Sequence, residues 1–102
     1  LPIDSVWVAG EALIDLVVTN QIPQPIIGGG AANTAKALAK LGVKTSLIGG
    51  ISFDNYGKLI SRELDLFGVD LSLVYKSYKP TAIAETFIDE LGNASYKFQL
   101  GD

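Results

Sequence analysis

Apolar and polar positions alternate along this chain in short blocks. Ser5–Gly10 is a mostly apolar run ending at glycine and predicts a buried strand. Glu11–Thr19, rich in Leu, Ile and Val, predicts a second. Asn20–Pro25 sets two prolines among polar residues and predicts a turn, with Ile26 and Ile27 a brief strand beyond it. Alanine-rich Gly30–Leu41 predicts a helix closed by Gly42, its small side chains suited to close packing on a sheet. Lys44–Ile51 has the look of another buried strand. Asp54 caps a second helix that runs through Phe67 and ends at Gly68. Its apolar residues Tyr56, Leu59, Ile60, Leu64 and Phe67 are spaced 3, 1, 4 and 3, which is one helical face. Leu71–Tyr75 predicts a short strand, and Thr81–Asp89 with Ala94–Leu100 a hairpin around Glu90-Leu91-Gly92-Asn93.

Alternation of strand and helix in the middle of this order predicts a parallel α/β sheet. The second strand and the terminal hairpin break the rhythm, so they are expected in a separate small sheet. In the hairpin, Ala82, Ala84 and Thr86 form a small-residue face, Ile83, Glu85 and Phe87 the other, and Tyr96, Phe98 and Leu100 share a face across the turn.

Composition narrows the function. The 102 residues suffice for one small domain, and a hydrophobic fraction of 48% is too high for disorder. A net charge of −3 with scattered lysines gives nucleic acid no basic patch. The absence of histidine excludes Ser-His-Asp chemistry and His-ligated zinc within this chain, and the absence of cysteine excludes a disulfide framework. Val6–Val18 is interrupted by Glu11 and Asp15, too short to span a bilayer, and has no basic leader. A cytoplasmic protein that binds no membrane is expected. The chain starts at Leu1 and contains no methionine, so either its initiator was removed or it is a piece of a longer product.

Residues 28–42 hold the most information: Gly-Gly-Gly-Ala-Ala-Asn-Thr-Ala-Lys-Ala-Leu-Ala-Lys-Leu-Gly. Glycines let a backbone approach a ligand closely, and a helix start favours anions. The dinucleotide fingerprint fails, because Asn33 stands where its third glycine belongs. A Walker A loop fails too, since Lys36 lies between Ala35 and Ala37. A plain tight turn entering a helix is the alternative.

The run resembles the N-terminal signature of the PfkB (ribokinase-like) carbohydrate kinases, fructokinases most of all. Gly28, Gly29, Gly30, Ala31, Ala32, Asn33 and Ala35 match it, and Gly42 falls where the family has glycine or serine. Gly10-Glu11-Ala12-Leu13-Ile14-Asp15-Leu16 is similar to the family's opening strand, Phe67-Gly68-Val69-Asp70 to its Leu-Gly-Val-Asp segment, and Pro80-Thr81-Ala82 to the start of its lid. Two departures stand out. Ser52 replaces the signature's last glycine, and Ser52-Phe53-Asp54-Asn55-Tyr56-Gly57 stands for Gly-Asp-Asp-x-x-Gly.

The resemblance implies a ribokinase-like three-layer sandwich, of which residues 1–102 are the N-terminal, substrate-binding part, with a mostly parallel sheet, helices and a small β-lid built from about 12–27 and 80–100. It implies transfer of the ATP γ-phosphoryl group to a sugar hydroxyl. Asp15, Gly29, Gly30 and Asn33 are implied to hold the sugar. Some relatives carry an aromatic and an arginine late in the last lid strand for an acidic sugar; here those places hold Phe98 and Leu100, which favours a neutral sugar such as fructose. The catalytic base, the ATP site and magnesium are expected downstream, so no catalytic residue or metal ligand is assigned here and the chain alone is expected to be inactive. Gly101-Asp102 lacks the earlier glycine of the family's base motif and is taken as coincidence. A homodimer through the lid is a further implication.

Residue by residue, blander readings stand beside these. Asp15 interrupts an apolar strand and reads either as an edge carboxylate facing water or as a grip for hydroxyls. Asn33 reads either as a helix-start residue bonding its own backbone or as a ligand contact. Glu11 and Asp15 are no glycosidase pair, because four strand residues separate their Cα atoms by about 13 Å, beyond the inverting range of roughly 6.5–9.5 Å. A non-catalytic sugar-binding or lid-mediated association module is the competing class.

Overall fold

The computed structural model describes residues 5–99. Seven strands and two helices follow one another as β1 Ser5–Ala9, β2 Leu13–Thr19, β3 Ile22–Gly28, α1 Gly30–Lys40, β4 Lys44–Ser52, α2 Asn55–Leu66, β5 Val74–Ser77, β6 Ile83–Ile88 and β7 Ala94–Gln99. They form two sheets. A parallel sheet has the order β1-β4-β5, and a mixed sheet the order β3-β2-β6-β7. The expected parallel α/β unit and separate small sheet are both present.

Alternation sorts the parallel sheet's residues by face. Val6, Val8, Leu47 and Ile51 point to the side where α1 and α2 lie against each other and against β4. Leu47, Ile51, Ala32, Ala35, Ile60, Leu64 and Val69 form the buried core there, joined by Ile14 and Ile27 from the mixed sheet. Among the described residues the opposite face carries no helix, and Trp7 and Tyr75 on it are 68% and 67% exposed. Lys36 ties α1 to its surroundings: its Nζ donates to Glu63 at 2.9 Å and to the Ile27 carbonyl at 3.3 Å.

Both helices end as their sequences require. Gly42 and Gly68 have φ of +87° and +89°, and the residue after each donates back into its helix, Val43 to the Leu38 carbonyl and Val69 to that of Leu64. Asp54 caps α2, its carboxylate accepting from the Gly57 N–H at 2.7 Å.

Two sequence expectations need correction. Asn20–Pro25 is not a turn: Asn20 and Gln21 alone make the reversal, with φ of 53° and 63°, and strand β3 begins at Ile22. Positive φ at both loop residues is the geometry that suits a two-residue hairpin. Pro23 and Pro25 are tolerated because β3 is an edge strand and both rings, two residues apart, face its open side. The strand expected at Leu71–Tyr75 lies later, at Val74–Ser77. Asp70 bridges to Ser46, and its carboxylate accepts from Ser72 N–H, so the chain turns before pairing resumes.

Candidate functional site

The β1-to-β2 and β3-to-α1 connections between the two sheets run close together; Gly29 lies on the second, and Gly30 and Asn33 in the first turn of α1 beyond it, while Asp15 lies within β2 and Phe98 within β7. β2 leaves the β1 end through Gly10, and β3 re-enters through Gly29, with φ of +148° and +95°. Gly29 sits so tightly against the Glu11 carbonyl and Leu13 N that a Cβ would collide. From Gly29 the chain enters α1, and the Asn33 N–H donates to the Gly29 carbonyl at 2.9 Å.

Asp15 reaches the same turn from β2. Its carboxylate lies over the Gly28 backbone, where any side chain would overlap it. Strand register then sets a transverse row of Ile26, Asp15, Ala84 and Phe98 on one face of the mixed sheet. Asp15 is half-buried, while Asn33, Gly30 and Phe98 are exposed. No buried side-chain oxygen or nitrogen among the described residues lacks a partner, and neither Asp15 nor Asn33 is engaged by another side chain, so their polar atoms are open to solvent. Gly30 differs from its neighbours: nothing lies within 4 Å of a Cβ built there. Leu100, Gly101 and Asp102 lie outside the described residues.

A concave space of about 210 Å³ opens beside the Glu11 and Ala12 segment that Gly29 abuts, at the C-terminal ends of β4 and β5. Glu11, Ser52, Tyr75, Ser77, Lys79 and Thr81 contribute to its walls. None of Asp15, Gly29, Gly30, Asn33 or Phe98 lines it; Glu11 and Ala12 join the two regions. Among the described residues no group of three or more His, Cys, Asp or Glu side chains is placed to hold a metal ion.

Sequence reading missed one polar junction. Asp54, taken only as a helix cap, also binds Thr81, at the entry to β6. Thr81 N–H donates at 2.7 Å and its hydroxyl at 2.5 Å. Burial alone would raise the Asp54 pKa; the hydrogen bonds from Thr81 and Gly57, with Ser52, outweigh it and hold the carboxyl below its ordinary value. Ser52 is no defect in this turn, since its hydroxyl accepts from the Asp54 N–H at 3.1 Å. The separation of 27 residues between Asp54 and Thr81 explains why local patterns gave no signal.

Comparison with known proteins settles the family. The sequence profile of the pfkB family carbohydrate kinases matches residues 4–102. The chain belongs to that family. Among characterised members it is 32% identical to Escherichia coli fructokinase over 93% of its own length and 32% of that enzyme's. It is 38% identical to 5-dehydro-2-deoxygluconokinase of Geobacillus kaustophilus, over 85% of this chain and 29% of that one. Fructokinase from Xylella fastidiosa superposes with a TM-score of 0.86 at 26% identity, covering 93% of this chain and 33% of that chain. Arabidopsis thaliana ribokinase, complexed with ribose and ATP, superposes with a TM-score of 0.87 at 29% identity over 94% and 36%. The fold is therefore ribokinase-like, and this pfkB chain spans about a third of the length of the relatives it matches.

Proposed function

We propose that this chain is the sugar-binding portion of an ATP-dependent sugar kinase acting on a neutral, fructose-like sugar. The observation that carries the reading is the Asp15 carboxylate lying over Gly28 beside the Gly29–Asn33 turn. A carboxylate accepts hydrogen bonds from sugar hydroxyls, a carboxamide both donates and accepts, and bare glycine leaves backbone groups within reach. Ala84 keeps the space between Asp15 and Phe98 clear on their shared face. The Phe98 ring offers an apolar wall to the C–H face of a sugar.

On this reading the mixed sheet is the lid. It aligns the acceptor hydroxyl and keeps water from competing for the phosphoryl group. ATP supplies that group. Magnesium, the base and the ATP site are assigned to the rest of a full-length kinase. The chain alone then transfers nothing. The exposed Ile22, Ile26, Tyr96 and Phe98 on the lid's Asp15 face support pairing of two lids in a homodimer.

The test is a sugar panel on the full-length product with fructose, ribose and adenosine. ATP-dependent phosphorylation of fructose that is lost in Asp15→Ala supports the reading. Equal activity of wild type and Asp15→Ala on every acceptor contradicts it.

A further inference from the structure

The mixed sheet meets the α/β unit at three crossings. Two pass through Gly10 and Gly29, whose φ values of +148° and +95° mark backbone that only glycine adopts readily. The third, from β5 into β6, contains Pro80 and Thr81, and it is tied down. Thr81 is 8% exposed, and its N–H and hydroxyl both donate to the Asp54 carboxylate, which also caps α2. The next residue, Ala82, accepts from the Ile14 N–H at 3.0 Å, which is where β6 joins β2. Asp15 follows Ile14, and Ala84 stands opposite Asp15.

We infer that Asp54 and Thr81 are positioning residues for sugar binding: their junction fixes where the lid is rooted and so the height of Asp15 and Phe98 above the Gly29 turn. This rests on the kinase reading above. A charged acceptor shared by a helix N-terminus and the lid strand transmits the helix's placement to the lid. Neither residue touches the sugar.

Two substitutions separate this role from helix capping. Asp54→Asn keeps a good cap for α2 but turns an amide N–H₂ toward the Thr81 N–H. Thr81→Val keeps shape and removes the hydroxyl, and Thr81→Ser restores it. In the full-length protein, steady-state kinetics with fructose and ATP are measured alongside phosphate release. Thr81→Val and Asp54→Asn should raise the sugar KM about tenfold, the scale of one lost hydrogen bond to a charged group. They should also raise the fraction of ATP hydrolysed without sugar phosphate forming, and Thr81→Ser should return both to wild-type values. Wild-type KM and coupling in Thr81→Val overturn the inference, even if its Tm falls. If Asp54→Asn does not fold, the Val and Ser pair at position 81 decides alone. A wild-type protein that phosphorylates no sugar overturns the kinase reading itself, and this inference with it.

Discussion

The Asp15 carboxylate occupies the space that a side chain at Gly28 would need. Position 28 therefore has no room for a side chain while Asp15 stands there, and the two are linked through strand register: Gly28 pairs with Leu13, the same-face neighbour of Asp15. Gly28→Ala should displace the carboxylate while leaving its charge in place. The expected result in the full-length kinase is a sugar KM raised at least tenfold, with the ATP KM little changed. Unchanged sugar KM would mean that Asp15 does not act from this position.

Gly57 and Gly30 should respond differently to alanine. Both lie in helices, where alanine is ordinarily favoured by up to about 1 kcal/mol. At Gly57 a Cβ would strike the Ser52 carbonyl, so Gly57→Ala should destabilise by about 1–3 kcal/mol. At Gly30 the space is open, and Gly30→Ala should raise stability or leave it unchanged. Chemical denaturation of the two variants checks the pair, and the same sign for both would contradict it.

Acid should weaken the Asp54–Thr81 junction. Asp54 has a folded pKa below its ordinary 3.8, so its contribution is fully present above that value and is lost as pH falls through the folded pKa. Asp70 and Asp89 are shifted the same way by hydrogen bonds from Ser72 and Asn93, so acid unfolding alone does not single out Asp54. The expected signature is a shallower loss of stability below about pH 4 in Asp54→Asn than in wild type. Parallel curves would assign the acid limb to other carboxylates.

Leu64 is fully buried where α2 meets the sheet. Leu64→Ala should cost about 2–5 kcal/mol in denaturant unfolding, since the transfer loss and the cavity add. A cost under 1 kcal/mol would mean the site collapses or is wet.

Much of this was legible locally, because caps and periodicity are local physics. Asp54 as a cap marked the start of the second helix, and Gly42 and Gly68 after apolar runs marked where both helices end. Asp15 stood out because a carboxylate inside an apolar strand needs a reason. What escaped depended on the partner strand. Pro23 and Pro25 read as breakers because only sheet order reveals an edge. Asp70 stole the start of β5 through a single bridge to Ser46. The Asp54–Thr81 junction joins segments whose sequences carry no mark of each other.

The central claim is that Asp15 and Asn33 grip one sugar at the glycine turn, and a crystal structure of the full-length protein with fructose tests it most directly. Fructose hydroxyls within hydrogen-bond distance of both the Asp15 carboxylate and the Asn33 carboxamide, with Phe98 alongside, is the predicted result. Fructose ordered instead in the space between Glu11 and Ser77, clear of Asp15 and Asn33, would contradict it.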